Sequence, residues 1–401
     1  MVANTIGAGV YTTSGFTLGD LGTPGAVLLA WVLAALLALS GALSFGALAR
    51  ALPLSGGEYL FLSRLWHPAA GFIAGWVSLV AGFAGAQAFG ALTLVEYLPF
   101  SPVTEKSIAV ALLLFVALSQ GVLVRFGTAM QNLTVALKAF FLTGFILVGW
   151  LKLPPSLPVA SATVNSPDWA TWAYAVLMVS LSFTGFNAAI YVAEECQDPR
   201  RDVPRAMFWG TVITAVLYLS VNAVFLYSAP VDALRGVPGI ALASAEALGG
   251  RGLAEAVRAL VLLSLFTLIS GTAVSGPRVV KKMGEDGFLP PLTLGQASAI
   301  QCTIAVVMTL WSDLVQQLGY LSLVLSLVSA LTVATVFRLP SESRPHLLWP
   351  GIYLLGTAIT SVAALSKNPS VGWGALVTLV SGLVAYRLVR RPTLSSPEAV
   401  P

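Results

Sequence analysis

Apolar residues run through this chain in long blocks, each closed by proline, glycine or charge. The blocks fall near residues 25–49, 68–97, 106–124, 128–151, 168–193, 205–228, 250–276, 297–312, 314–338, 346–366 and 370–388, after a partial block at about 1–18. About 20 residues of helix cross the hydrocarbon of a bilayer, so the blocks have the length of membrane spans; 297–312 is the shortest. Backbone N–H and C=O groups cannot stay unpaired in lipid, so the spans are predicted as helices rather than open strands. The partial block is too short for a crossing and its flank. Either the first helix is abbreviated or the start lies inside a longer reading frame, and the second is favoured.

Composition agrees with lipid as the solvent. Of 401 residues, 57% are hydrophobic and only 9% charged, where a soluble domain carries about a quarter. So few charges cannot build a polar shell around a chain this long. They are also unevenly placed. With the N-terminus inside, 14 of the 21 Lys and Arg fall in the inner connections and the tail, six in the outer ones, and Lys138 within a span. That excess puts both termini in the cytoplasm, as expected of a multi-pass protein of the plasma (inner) membrane. The net charge of +4 is spread along membrane edges and marks no nucleic-acid partner. Cys196, Cys302, His67 and His346 show neither a disulfide framework nor a zinc spacing. No cleavable signal is visible, since a basic n-region is missing and Gly7, Gly9 and Gly15 come early.

Two segments are predicted to interrupt their helices. Gly7-Ala8-Gly9 lies in the first partial span. Glycine weakens a helix there and lets a ligand approach the backbone. Unwinding frees amide donors and exposes the positive end of the following half-helix, which suits a carboxylate. A small-residue strip for helix packing would look the same by spacing. The second segment is Leu181-Ser182-Phe183-Thr184-Gly185-Phe186-Asn187, within 168–193. Its freed carbonyls suit an ammonium group. Broken helices in corresponding positions of two repeats point to a site at the membrane midplane.

Four stretches resemble the amino acid–polyamine–organocation superfamily, and within it the amino acid permeases of the L-type branch. They are Asn4 to Thr13 (NTIGAGVYTT), Gly46 to Leu60 (GALARALPLSGGEYL), Phe183 to Ala206 (FTGFNAAIYVAEECQDPRRDVPRA) and Gly276 to Pro290 (GPRVVKKMGEDGFLP). The resemblance implies an all-α protein of about twelve spans, with two inverted five-helix repeats whose helices 1 and 6 are broken. The repeats would cover 1–151 and 168–338, with two further helices at 346–388 and a tail at 389–401. It implies alternating access, with the amides of Gly7, Ala8 and Gly9 holding the substrate carboxylate. The carbonyls of Thr5, Leu181 and Thr184 would receive its ammonium group. Ser182 and Gly185 complete the second break, and Phe183 would shape or gate the side-chain pocket. Thr184 stands where L-type relatives often have glycine, and Leu181 where some have an aromatic gate.

Lys138 lies ten residues into 128–151, roughly 15 Å deep at about 1.5 Å per residue. A charge at that depth is costly and is a functional candidate, although a lysine snorkelling to the interface is the plainer account. The resemblance places it where sodium-coupled relatives bind their ion, bridging the fifth helix to the first and open to protonation during the cycle. Sodium-independent transport follows, by exchange or proton symport. The dense group Glu194, Glu195, Asp198, Arg200, Arg201, Asp202 and Arg205 reads as a solvated face or as an inner gate.

The expected partners are a neutral L-amino acid and the surrounding lipid; no accessory subunit is identifiable and no cofactor is called for. A polyamine or organocation permease would want acids beside the breaks, where Thr184 and Asn187 are neutral. A membrane enzyme would want paired acids or a nucleophile with its base, and Lys138 apart the spans hold almost no titratable groups. A non-transporting sensor is the third alternative, because the first half-helix is short.

Overall fold

The structure, a computed structural model, describes residues 7–98, 102–153, 167–285 and 287–388, with side chains described except at 102–104, 120–136, 192 and 195. Among the described residues the regular structure is all helical. The helices are α1 (Gly9–Leu21), α2 (Pro24–Ala51), α3 (Glu58–Leu65), α4 (Pro68–Glu96), α5 (Pro102–Lys152) and α6 (Trp169–Ser180). There follow α7 (Pro199–Tyr227), α8 (Ile240–Glu285), α9 (Leu294–Trp311), α10 (Leu314–Arg338), α11 (Leu348–Lys367) and α12 (Pro369–Leu388). Eight of them are long and apolar enough to cross a membrane.

Local chemistry sets many of these ends. Pro24 opens α2 behind Thr23, whose hydroxyl accepts the Ala26 amide at 3.3 Å. Asp168 caps α6, while Thr293 and Asp313 form capping boxes with Gln296 and Gln316 that start α9 and α10. Each satisfies amides that a helix cannot pair itself.

Two predicted boundaries differ from the structure. The sequence places a connection at 125–127, yet the chain is helical throughout Pro102–Lys152, a stretch without an internal proline. The predicted span 250–276 is part of a longer helix. Gly250, with φ 64° and ψ −163°, sets 240–249 aside as a preceding arm, and the helix then runs past Pro277 to Glu285. Within α4, residues Ser78–Gly85 are wound as a π-helix between two α-helical halves.

α1 sits at the centre of the bundle. Thr12, Thr13, Ser14 and Thr17 are fully buried beside Val10 and Leu18, so this helix has no stripe for lipid. The Thr12 and Thr17 hydroxyls donate to the carbonyls of Ala8 and Thr13 in their own helix. Ser14 donates to Asn222 Oδ1 of α7 at 2.5 Å and accepts from the Trp31 indole of α2 at 2.8 Å. On either side of Ser14 the Tyr97 hydroxyl donates to the Tyr11 carbonyl, and the Gly236 amide to the Gly15 carbonyl. By contrast the peripheral helices expose large apolar side chains, Leu118, Trp150, Leu151 and Trp373 among them, which lipid covers.

Tryptophans mark both faces of the slab. Trp150, Trp169, Trp311 and Trp373 are exposed at helix ends joined by the α5–α6, α9–α10 and α11–α12 connections. At the opposite end, which carries the Lys and Arg excess, stand Trp66 and Trp209. Indoles favour the depth where hydrocarbon meets headgroups, so the two sets bracket the apolar layer.

A Cβ built on Gly15 would lie 1.9 Å from the Val237 carbonyl oxygen, whereas on Gly19 its nearest contact would be 3.6 Å away. Gly15→Ala is therefore expected to cost about 1–3 kcal/mol through backbone displacement. Thermal unfolding in detergent should show a lower Tm for this variant and an unchanged or slightly higher one for Gly19→Ala.

Candidate functional site

The first break is seen from Gly7 onward. Gly7 lies in a bend, Ala8 precedes the helix with φ −61° and ψ −34°, and α1 starts at Gly9. The positive end of the α1 dipole lies at Gly9. Thr5, assigned a carbonyl role, lies outside the described residues.

The second break follows α6. A 3₁₀ turn covers Leu181–Phe183, Thr184 swings to an extended conformation (φ −56°, ψ 138°), and Gly185 takes φ 98°. Only glycine adopts that value without strain, so Gly185 is the residue that lets the helix turn aside. Residues Ala188–Glu195 then resume as a 3₁₀ helix.

The two breaks meet. A Cβ on Gly9 would stand 2.4 Å from Ser182 Oγ and 3.2 Å from Ser182 Cα, so the amide end of α1 rests on the second break. Ser182 is buried and its hydroxyl has no partner among the described residues. A buried hydroxyl without a partner among the described residues thus faces the positive end of α1, in a place where polar groups ordinarily find partners. Nearby, the Leu181 carbonyl accepts both the amide (3.0 Å) and the hydroxyl (2.7 Å) of Thr184. An ammonium group approaching that carbonyl competes with the Thr184 hydroxyl.

Phe183 is only 1% exposed. Its ring makes edge contacts with Trp31 at 5.9 Å and Tyr218 at 5.2 Å, and Trp31 meets Tyr218 at 5.4 Å. This trio joins α2, α7 and the second break next to the Ser14–Asn222 bond. A cavity of about 30 Å³ beside the break, lined by Ala38, Ser180, Thr184, Phe186 and Ser329, has room for a water. Lys138 is 5% exposed in α5. It forms no hydrogen bond or ion pair with a described residue, and the segment before Gly7 that it would bridge to is not described.

One polar centre was not singled out from the sequence although it lies within a quoted motif. Glu58, at the start of α3, is buried in the connection between α2 and α4. Its Oε1 accepts from Ser329 Oγ of α10 at 2.6 Å and from Asn187 Nδ2, just past the second break, at 3.3 Å. Burial pushes its carboxyl up to about 7, against the opposing effect of the Ser329 bond. Two residues around it grip the same segment. Gly57, at φ 69°, is so close to the Tyr191 ring that a Cβ would lie 2.2 Å from it. Ser55 and Glu194 exchange bonds, the Ser55 amide donating to Glu194 Oε1 and the Glu194 amide to Ser55 Oγ. The α2–α3 connection therefore clamps residues 187–194, the half-helix leaving the second break. An acid inside a glycine-flanked motif was the available signal.

This geometry defines a class: a multi-pass helical membrane protein in which the start of a buried central helix meets a broken helix. The chain belongs to the amino acid permease family, whose model matches residues 1–386. It is 27% identical to the human "Large neutral amino acids transporter small subunit 2" over 421 residues, covering 97% of this chain and 78% of the relative. It is 25% identical to the mouse "Asc-type amino acid transporter 1", covering 97% and 79%. Among solved structures it is similar to the Eremococcus coleocola manganese transporter, with a TM-score of 0.56, 17% identity and coverage of 96% of this chain and 90% of that one. That likeness shows the fold alone. Among the described residues no group of three His, Cys, Asp or Glu side chains gathers.

Glu58 also makes a pH prediction. Its folded-state pKa is raised above the ordinary carboxyl value, so its contribution to stability is complete below about 4.5 and is lost as pH rises through about 7. Thermal unfolding from pH 5 to 8 should show Tm falling more steeply in the native protein than in Glu58→Gln. Parallel slopes would contradict the assignment.

Proposed function

We propose that the chain carries neutral L-amino acids across the membrane by alternating access, without a sodium requirement. One observation carries most of this reading: the N-terminal end of α1 at Gly9 abuts the second break at the Ser182 hydroxyl, which has no partner among the described residues. A substrate carboxylate would take the amides of Gly7, Ala8 and Gly9, where the helix dipole favours negative charge. Its ammonium group would take carbonyls of the second break at Leu181 and Thr184, together with that of Thr5. Membership of the amino acid permease family supports this division, as do the amino acid cargoes in the names of the human and mouse relatives.

The substrate class follows from what surrounds the breaks. Phe183, Leu181 and Phe186 are apolar, and no carboxylate sits at either break to balance a second positive charge on a polyamine. Glu58 is held by Asn187 and Ser329 behind the second break. Lys138 takes the place of a coupling cation, a fixed positive charge in α5 that removes the need for sodium. In this reading residues 1–151 and 168–338 form the two inverted repeats, both termini face the cytoplasm, and the membrane is the plasma (inner) membrane. The clamp on residues 187–194 then belongs to the inner gate.

Uptake of labelled neutral amino acids into proteoliposomes tests this. Saturable flux of equal size in sodium-containing and sodium-free buffer is expected; a strict sodium requirement overturns the role of Lys138, and no flux of any neutral amino acid overturns transport. Gly9→Ala, which forces a methyl group against Ser182, should lower kcat/KM at least tenfold without a comparable loss of Tm. Thr184→Ala frees a lone pair on the Leu181 carbonyl and is expected to lower KM by about tenfold, since one hydrogen bond to a charged group contributes at least about 1.5 kcal/mol and about 1.4 kcal/mol is tenfold.

A further inference from the structure

Away from the two breaks, a cavity of about 360 Å³ opens where the end of α2 meets the starts of α7 and α11. Arg50 comes from α2, Arg205 from α7 and His346 from the residues just before α11. None of its lining residues is acidic, and neither arginine forms an ion pair with a described carboxylate. His346 Nδ1 accepts the Leu348 amide at 3.3 Å, so in the neutral ring the proton sits on Nε2, which is left as a donor. Two arginines gathered without an ion-pair partner among the described residues repel one another, and an anion relieves that repulsion.

The rest of the cavity is apolar. Ala42, Leu43 and Phe208 line it, and at its floor a Cβ on Gly46 would lie 3.2 Å from Pro204 Cβ, so α2 and α7 close it from below. Trp209, 59% exposed, and Trp349 stand at its rim, at the depth where indoles mark the edge of the hydrocarbon. From there α2 runs toward the opposite face between α7 on one side and α11 on the other. Its exposed Leu36, Leu33 and Leu29 continue the cavity as an apolar track, flanked by Ile213 of α7 and Leu355 of α11. A free phosphate would use the cations and ignore the track; an amphiphile uses both.

We propose that this cavity binds an anionic phospholipid, with Arg50, Arg205 and His346 holding the phosphate of its headgroup and the acyl chains lying along α2 between α7 and α11. Basic pockets between spanning helices are suited to such headgroups, and each cation near the surface adds measurably to the attraction. The lipid would bind one per chain and tie α2 to α7, the helix that follows the clamped segment.

Native mass spectrometry of the delipidated full chain, titrated with phosphatidylglycerol, phosphatidylcholine or inorganic phosphate, tests this. One phosphatidylglycerol should be retained at a concentration roughly tenfold below that needed for phosphatidylcholine, from the attraction of two or three cations. Arg50→Gln with Arg205→Gln should abolish that preference, while Arg387→Gln, at another exposed arginine, should leave it intact. Leu43→Trp keeps every cation but fills the cavity and should also abolish it, which covers the case in which the double variant does not fold. Equal retention of the two lipids by the native chain, an unchanged preference in folded variants, or competition by inorganic phosphate at the same concentration as the lipid would each overturn the proposal.

Discussion

A helix unwound inside lipid leaves backbone groups that water cannot reach, and the centre of this bundle is built around that constraint. The second break and the start of α1 deal with such groups differently. At the second break the chain answers itself, with Thr184 filling the Leu181 carbonyl and Gly185 absorbing the turn. At the start of α1, Gly9 lies against the Ser182 hydroxyl, which has no partner among the described residues. The asymmetry suits a site: one side is held in shape by its own bonds, and the other presents the positive end of a helix.

Around the breaks, the structure separates rigid from releasable contacts. Trp31, Phe183 and Tyr218 pack edge to face and fix the second break to α2 and α7, while Ser14 and Asn222 do the same for α1. These bonds are neutral and buried. The hold on residues 187–194 has another character, since it depends on the carboxyls of Glu58 and Glu194 and on a tight ring-to-glycine contact at Gly57. A carboxyl pushed up to about 7 changes charge near neutrality, so this end responds to protons in a way that the aromatic trio cannot.

Much of this was legible in the sequence. Composition, block length and the Lys and Arg excess specify a multi-pass helical protein, because the bilayer permits few alternatives. Gly185 was readable as a break since its role is local. What escaped depends on partners distant in the chain. Nothing near Glu58 announces Ser329, and nothing near Phe183 shows that its ring would pack against Trp31 and Tyr218. Boundaries failed for a related reason. A glycine can end a helix, as Gly250 does by taking φ 64°, or be carried through one, as at 121 and 127 in α5, and neighbours elsewhere in the fold decide which.

The π-wound stretch of α4 has a mechanical consequence. Each residue of an α-helix turns the chain by about 100°, and a π stretch accommodates extra residues without lengthening the axis in proportion. The halves on either side of Ser78–Gly85 are thus out of phase, and each addresses a different set of neighbours. Below it the Trp76 indole reaches Ser381 of α12; above it Gln87 binds the Ile269 carbonyl of α8 and accepts from Gln301 of α9. A single-residue deletion within the stretch would relax it toward an ordinary helix and swing Gln87 about a quarter turn away from α8, uncoupling two faces of the bundle that a uniform helix could not serve together.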